Sequence, residues 1–393
     1  MSIWTRRNWS AFGLALLLSS AVVVAVVVTV RAHRRPPAAR PAVKTAPAAH
    51  EEAHVASRQV WQRRWTWPAG APLLGGPVPA DEGWAVTTQD GCAMLLESNG
   101  HMRWSHTFTT PPGGGPPVLA GDVVIVAGAD GQIAALAATT GEPRWQTSRP
   151  GVFRRTPLAL KQGGEWRVVL LSASDGALFC LAARDGRNVW RTEPTNRSDG
   201  APATDGFQIA YGNCDAAVHV FDAATGARVA RVAVGEGAEM AGGVLCRDKR
   251  VYGGTRSGEL VCVDAAADKV AWRKPIGSGE AFVTPVGAER LVVAGAADGT
   301  IAALDAVSGA ELWRVSLGAP VAAMTVLDDA LFAVAGGALH GRRLADGTAF
   351  AHLAIGDDVS GPTCNGHLLA VADDGGNVVV LGPAPAAAGA ASF

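Results

Sequence analysis

The first candidate for chemistry is a zinc-type motif near the start of the chain. His50, Glu51 and His54 fit the pattern H-E-x-x-H. On a helix, this spacing places two imidazoles on one face as zinc ligands, with Glu51 as the general base. The motif lies in an Ala- and Pro-rich stretch with no apparent third ligand. We therefore interpret it as a solvated patch of a linker and predict no metal site.

Six cysteines form a second group, at positions 92, 180, 214, 246, 262 and 364. Their spacing matches neither a metal site nor a C-x-x-C-H haem site. Cys180 and Cys262 occupy the same strand position in different units of the repeat described below, as do Cys246 and Cys364, so disulfides within these pairs are geometrically disfavoured. We predict small buried thiols. The sequence also contains no G-x-S-x-G motif, P-loop or dinucleotide fingerprint.

A third group consists of charged side chains in loops that precede apolar strand patterns. Variable charged loops on a rigid scaffold commonly bind partners, although ordinary solvated charge is the alternative for any one residue. The predicted partner-binding residues are Arg154, Arg155, Arg197, Asp199, Glu236, Glu239, Asp357 and Asp358. We predict no catalytic, cofactor-binding or metal-binding residues.

The charge balance argues against nucleic acid as the partner. The chain has 34 Lys and Arg residues against 35 Asp and Glu residues, a net charge of -1. Seven basic residues and no acidic residue lie in positions 1–45, so the remainder is mildly acidic. A nucleic-acid-binding protein would carry a basic excess.

The elements that position these residues follow from an internal repeat. An apolar strand, a two-residue turn that is usually Asp-Gly, a second strand, a Thr-Gly-like turn and a strand ending in Trp recur about every 40 residues. The first turn occurs eight times, beginning at positions 90, 130, 175, 215, 257, 298, 336 and 374. Asp-Gly between apolar runs predicts a hairpin, and about four strands per unit of this length are typical of a β-propeller blade. We predict an all-β, eight-bladed propeller of four-stranded antiparallel blades.

Tryptophan and the chain ends fit the same prediction. Trp closes the units at positions 104, 145, 190, 272 and 313, where a large ring can fill the wedge between blades. The eighth unit ends before any Trp strand, whereas residues 60–67 resemble a Trp strand with no blade ahead of it. We predict that this segment supplies the last outer strand and so removes the open sheet edges. Deletion of residues 58–70 should therefore destabilise the whole ring, and an unchanged cooperative melt would refute this.

An apolar segment precedes the ring. Residues 11–30 contain no charge and match the roughly 20 residues of a transmembrane helix. The alternative is a cleaved signal peptide, because Arg6 and Arg7 form a basic start, but the apolar run is long and no small-x-small site follows closely. We predict a short basic N-terminus (1–10), a membrane helix (11–30), a linker (31–57), the propeller (58–382) and an Ala-rich tail (383–393).

The repeat also resembles a known family. The run A-L-D-A-x-S/T-G-x-x-x-W at 303–313, with weaker copies at 220–230 and 261–272, is similar to the pyrroloquinoline-quinone-type propeller repeat. Quinoprotein dehydrogenases and BamB-type outer-membrane assembly proteins share this repeat. Its residues encode turns and packing, so the resemblance specifies fold more strongly than function.

The enzyme branch of this resemblance fits poorly. The chain has only the length of the bare ring, and it lacks the vicinal cysteine pair and haem motif of those enzymes. We therefore predict no cofactor and no catalysis. A quinone-dependent oxidoreductase or ligand sensor that uses the central channel is the alternative.

The assembly-protein branch supplies a partner site. The loop at 196–202 is similar to the R-G-x-S-A-P loop with which BamB-type proteins contact their barrel partner, and this implies a contact role for Arg197. Ser198 stands where that family has Gly. Glu236 and Glu239 lie in the next loop, where the family offers acidic contacts. The resemblance implies a non-catalytic, protein-binding scaffold in envelope assembly.

The predicted location follows the resemblance and not the charge count. More basic residues follow the apolar segment than precede it, which by the positive-inside rule would keep the propeller in the cytoplasm. The family resemblance instead implies a single-pass protein of the cytoplasmic membrane with an extracytoplasmic propeller.

Overall fold

Short buried strands joined by glycine-containing turns build the whole described structure. The computed structural model describes residues 60–81, 83–240 and 242–384. Within these residues, thirty-two strands form eight antiparallel sheets of four strands each. The all-β, eight-bladed prediction is thereby confirmed. No helix capable of crossing a membrane occurs in these ranges. The predicted membrane helix, most of the linker, the H-E-x-x-H motif and most of the tail lie outside them.

The first strand, β1 (Trp61–Pro68), belongs to the last sheet, and the other sheets follow chain order. Blades 1 to 4 consist of β2 (Val78–Ala80), β3 (Gly83–Thr87), β4 (Cys92–Glu97) and β5 (Met102–Thr107); β6 (Val118–Ala120), β7 (Val123–Ala127), β8 (Gln132–Ala137) and β9 (Pro143–Ser148); β10 (Leu158–Gln162), β11 (Glu165–Leu171), β12 (Leu178–Ala182) and β13 (Asn188–Arg191); and β14 (Ala203–Thr204), β15 (Gln208–Gly212), β16 (Ala217–Asp222) and β17 (Arg228–Ala233).

Blades 5 to 8 continue in the same way. Their strands are β18 (Val244–Arg247), β19 (Arg250–Gly254), β20 (Glu259–Asp264) and β21 (Lys269–Pro275); β22 (Val286–Ala288), β23 (Leu291–Gly295), β24 (Thr300–Asp305) and β25 (Glu311–Ser316); β26 (Val321–Leu327), β27 (Ala330–Ala335), β28 (Ala338–Arg343) and β29 (Ala349–Ala354); and β30 (Ser360–Asn365), β31 (Leu368–Ala372) and β32 (Asn377–Pro383). The first strands of most neighbouring blades contact one another, so the first strands surround a central channel.

Blade 8 closes the ring. β1 pairs antiparallel with β32, with Trp61 opposite Pro383 and Pro68 opposite Asn377. The predicted closure by residues 60–67 is thus confirmed. This pairing leaves no blade with a missing outer strand, and the closed ring removes the exposed edges along which sheets aggregate.

The turn between the second and third strands differs from the sequence prediction. In blade 2, four residues (128–131) separate β7 from β8, and the N–H of Gly131 donates to the carbonyl of Gly128 at 3.2 Å. Only Gly131 of the Asp-Gly pair has positive φ (85°), whereas a two-residue type I′ turn needs positive φ at both positions. The prediction of two-residue turns was therefore wrong for this blade, because Asp-Gly also suits a longer turn with a left-handed Gly at its end. In blade 8 that glycine is Gly376 (φ 76°), one position beyond the predicted pair. The prediction of two-residue turns is confirmed in blade 7, where Gly336 (φ 56°) and Gly337 (φ 74°) alone separate β27 from β28.

Tryptophan joins six of the eight blades to the next, at the wedge positions that were predicted. Six Trp rings lie against a glycine in the turn between the third and fourth strands of the following blade, and a Cβ on that glycine would come within 2.6–3.1 Å of the ring. The pairs are Trp65–Gly100, Trp104–Gly141, Trp145–Gly186, Trp190–Gly226, Trp272–Gly309 and Trp313–Gly347. Every Trp in this set except Trp190 also donates its indole N–H to a main-chain carbonyl of that blade, at 2.8–3.3 Å.

The junction between blades 4 and 5, which has no such pair, supports the rule that Trp and Gly occur together. Blade 4 has Ala230 at the Trp position, and blade 5 has Asp268 where the other turns have Gly. Asp268 adopts φ 49°, so the left-handed turn is kept although the glycine is not. The glycine is therefore required by the stacked ring of the preceding blade and not by the turn alone.

Candidate partner-binding face

Loops that lead from one blade to the next surround one mouth of the channel. A cavity of about 380 Å³ lies there and is lined by residues from blades 1, 2, 3, 4, 6, 7 and 8 or the loops that lead into them. Arg154 and Arg155 line this cavity together with Thr156, Thr284 and Thr363. Both arginine side chains are exposed. The two predicted arginines therefore border the channel itself.

Three of the predicted residues meet in one hydrogen-bonded group. Arg155 donates from Nε to the main-chain oxygen of Asp199 at 2.5 Å. Arg197 donates from Nε to both carboxylate oxygens of Asp199, at 2.9 and 3.1 Å. The Asp199 carboxylate raises the pKa of Arg197. The structure thus joins the loop before blade 3 to the loop before blade 4.

A buried hydroxyl orients the second of these loops. Ser198 is 1% exposed and donates from Oγ to the carbonyl of Gly212 at 2.8 Å. The N–H of Cys214 donates to the carbonyl of Arg197 at 3.1 Å. With Ser198 held inward, Arg197 extends outward, and its side chain is 66% exposed. The serine that departs from the family pattern therefore anchors the loop.

A second group surrounds Arg256, which the sequence analysis did not select. Arg256 lies 3.6 Å from the Glu239 carboxylate and 3.9 Å from that of Glu280. Its guanidinium also lies 5.9 Å from the centre of the Phe282 ring. Arg256 belongs to the hairpin turn between β19 and β20 and not to an inter-blade loop. Arg256 could have been selected from the sequence as a basic residue in a turn that lies on the same face as the loops.

Cys214 lies between the two groups. Its Sγ is 3.9 Å from an Asp199 carboxylate oxygen. Burial raises the pKa of this thiol, Asp199 raises it further, and Arg197 and Arg256 oppose the shift. The two groups together are called the charged patch, which spans the loops that precede blades 3 to 6. It consists of Arg155, Arg197 and Asp199 in the first group and Glu239, Arg256 and Glu280 in the second.

The other predicted residues do not join the charged patch. Glu236 is exposed in the same loop as Glu239, yet no ion pair of the described ring includes it. Asp357 and Asp358 are exposed in the loop that leads into blade 8. Asp357 lines a separate cavity with His340 and His352 of blade 7. Residues at equivalent positions of the inter-blade loops thus lie on one face of the ring, but not all of them contact one another.

The three buried cysteines and the buried histidine are poorly suited to nucleophilic or acid–base chemistry. All six thiols are free, as predicted, but only Cys180, Cys246 and Cys262 are buried, so the prediction of burial was wrong for the other three. Burial raises the pKa of Cys180 and Cys246 to about 12 and that of Cys262 to about 11. Thiols with such pKa values are protonated near neutral pH and react slowly. Burial also lowers the pKa of His219 to about 4.

No set of three or more His, Cys, Asp or Glu side chains in the described ranges is arranged to hold a metal ion. The predictions of no metal and no cofactor stay predictions.

Comparison with known proteins gives consistent results. The family model described as "Outer membrane protein assembly factor BamB" matches residues 52–207 and 214–384. A curated BamB of Bordetella pertussis is 33% identical over 87 residues, which are 22% of this chain and 22% of that protein.

Solved structures agree on the fold. The crystal structure of BamB from Moraxella catarrhalis aligns with a TM-score of 0.68 at 19% identity, covering 82% of this chain and 98% of the other. The computationally designed protein Ika8 aligns with a TM-score of 0.67 at 15% identity, covering 79% and 96%. Saccharomyces cerevisiae Sqt1 aligns with a TM-score of 0.66 at 12% identity, covering 82% and 99%.

Proposed function

Because the chain belongs to the family of the outer membrane protein assembly factor BamB, we propose that it is a non-catalytic scaffold that binds an envelope protein through the charged patch. The observation that carries this proposal is that two groups of paired charges lie on the same face of the ring. Six charged side chains from four successive loops and one turn form these two groups on the channel face. Complementary charge on a partner would set the orientation and rate of binding.

The patch is built for recognition because its backbone is held while its charges face solvent. Ser198 fixes the central loop, whereas Arg197 and Arg256 are 66% and 58% exposed. A rigid, pre-organised surface loses little entropy when it binds. Neighbouring positive and negative groups also reject partners whose charges do not match.

We further propose that residues 11–30 anchor the protein in the cytoplasmic membrane and that the propeller lies on the extracytoplasmic side. The apolar sequence supports the anchor, and the family supports the side. Extraction of membranes with alkaline carbonate tests the anchor, because only an integral protein stays in the pellet. Protease digestion of intact spheroplasts tests the side, because an extracytoplasmic propeller becomes accessible. Release by carbonate or full protection would contradict the respective proposal.

The decisive experiment is a pull-down of the tagged, detergent-solubilised full chain, with mass spectrometry of proteins and small molecules. We expect a specific envelope protein without a redox cofactor. The double variant Arg197→Glu with Glu239→Lys should lose that protein, because it reverses one positive and one negative charge of the patch. The matched control, Arg184→Glu with Glu142→Lys, reverses two exposed charges in third-to-fourth-strand turns outside the patch and should retain it.

Two outcomes would overturn the scaffold proposal. Retention of every partner by the Arg197→Glu, Glu239→Lys variant would remove the patch as the binding site. Stoichiometric quinone with no stable protein partner would instead support the oxidoreductase or ligand sensor that uses the channel.

A further inference from the structure

Arginines bridge two of the wedges between neighbouring blades. In blade 6, Arg314 directly follows Trp313 and donates to the carbonyls of Pro275 (3.0 Å) and Ile276 at the end of the blade 5 outer strand. In blade 5, Arg273 follows Trp272 in the same way and donates to the carbonyl of Val234. In blades 5 and 6 the same arginine position thus serves the carbonyls of the preceding blade.

Blade 4 adds a carboxylate to this arrangement. Its arginine, Arg231, lies 2.8 Å from the carboxylate of Asp215. Asp215 is the aspartate of the middle hairpin turn of the same blade. The arginine position therefore has two kinds of acceptor, the carbonyls of the preceding blade and the turn carboxylate of its own blade.

Blade 2 keeps the acceptors but lacks the arginine. Gln146 follows Trp145, and a cavity of about 420 Å³ lies beside it between blades 1 and 2. Thr107 and Phe108, which correspond to Pro275 and Ile276, line this cavity. Asp130, which corresponds to Asp215, also lines this cavity. No ion pair of the described ring includes Asp130, and its Oδ1 accepts the N–H of Gln132 at 3.0 Å.

Blade 7 also combines a missing arginine with a cavity. His352 stands at the same position, and a cavity of about 520 Å³ opens there beside Leu317. Blade 7, however, has Gly336 where the other turns have aspartate. Of these two cavities, only the one between blades 1 and 2 is lined by a carboxylate of the middle hairpin turn, that of Asp130.

We propose that the cavity between blades 1 and 2 binds the guanidinium group of an arginine side chain presented by a protein partner. Arg231, Arg273 and Arg314 show within this chain which group the equivalent wedges accept. Guanidinium supplies several planar donors, which suit one carboxylate and two carbonyls better than a compact ammonium group does. Val126, Leu136 and Phe108 form apolar walls against which the methylene stem can pack.

This inference goes beyond the proposed function, because the cavity shares no residue with the charged patch. Its size is within the roughly 300–1,000 Å³ of small-molecule pockets, so a capped amino acid can enter it. The two proposals therefore fail separately: one is tested with a protein partner, the other with a small arginine derivative.

The test titrates the full chain with N-acetyl-arginine amide and measures binding by saturation-transfer NMR. N-acetyl-citrulline amide, which has the same shape without the charge, should bind at least about tenfold more weakly, because hydrogen bonds to a charged group are lost. The variant Gln146→Arg should fill the cavity from within and weaken binding of the arginine derivative by a similar factor. Asp130→Asn should also weaken it.

The matched control is Thr139→Arg, which adds the same charge on an exposed turn outside the cavity and should bind like the unmodified protein. Gln146→Arg should fold, since blades 5 and 6 carry arginine at that position, and its thermal unfolding is measured alongside. Equal binding of the arginine and citrulline derivatives would overturn the proposal. So would unchanged binding by a folded Gln146→Arg variant, or equal binding of N-acetyl-lysine amide.

Discussion

Trp65 donates its indole N–H to the carbonyl oxygen of Ser98 at 2.8 Å, which joins the first strand of the ring to the turn between the third and fourth strands of blade 1. The same ring packs against Gly100. Trp65 thus makes for blade 8 the contact that Trp104 makes for blade 1. The junction between the two ends of the ring is consequently built like the other Trp junctions and is not a simple pairing of strand edges.

Removing the Trp65 indole should weaken the closure of the propeller. We expect Trp65→Ala to lower the free energy of unfolding by about 3 kcal/mol, because a large ring and its hydrogen bond are lost from a packed wedge. Urea denaturation followed by circular dichroism measures the change. Trp166→Ala is the control, since that side chain is 40% exposed and should cost much less. Equal losses in both variants would show that Trp65 has no special role in closure.

The pairing of Trp with Gly predicts a rescue between blades 4 and 5. Ala230→Trp alone should destabilise the ring, because Asp268 has a side chain where the other blades leave room for the indole. Adding Asp268→Gly should recover at least half of the loss. A double-mutant cycle from thermal or urea unfolding measures the coupling. Additive effects of the two substitutions would contradict the rule.

Acid should destabilise the fold through His219. This residue is 1% exposed, its ring stacks on Tyr211 with centroids 5.3 Å apart, and burial lowers its pKa to about 4. The unfolded chain binds the proton near pH ~6.5 and the folded chain only near pH 4, so stability is lost as pH falls between these values, by up to about 1.4 kcal/mol per pH unit. Asp215 opposes this shift, and Arg231 and Arg228 add to it.

The variant His219→Phe isolates this effect. Urea unfolding at several pH values should give a flatter pH dependence for His219→Phe than for the unmodified protein. His367→Phe changes a histidine that is 85% exposed and should leave the slope unchanged. Parallel curves for His219→Phe and the unmodified protein would disprove the assignment.

The thiols should divide into two classes. Cys180, Cys246 and Cys262 are buried with raised pKa values, so iodoacetamide at pH 8 should leave them unmodified in the folded protein. Intact mass spectrometry should therefore show at most three additions, and six after denaturation. More than three additions to the folded protein would contradict the described burial.

The sequence predicted the ring well because its information is local and repeated. Trp and Gly recur at fixed spacing, and the Trp strand at residues 60–67 had no blade ahead of it, which indicated closure. Turn length was predicted correctly for Gly336-Gly337 in blade 7 but wrongly for Asp130-Gly131 in blade 2. Asp-Gly is compatible with two turn geometries, and the φ of the aspartate distinguishes them.

The site was predicted in part because contact between loops depends on the ring as a whole. Arg155, Arg197 and Asp199 come from adjacent loops and do meet. Asp357 and Asp358 have the same kind of position in the repeat, but their loop belongs to a distant junction. Arg256 was missed because a hairpin turn carries it. Sequence periodicity gives the face of a side chain but not its neighbours on the next blade.

The pairing of β1 with β32 also sets the order of events during synthesis on the ribosome. β1 is the first strand of the ring to be made, yet its partner is made last, after every other blade. Until then its Trp61, Trp65 and Trp67 have no partner strand, and such unpaired apolar edges are prone to aggregation. The nascent protein must therefore keep this strand protected for the time needed to translate some 300 residues at about 5–20 residues per second.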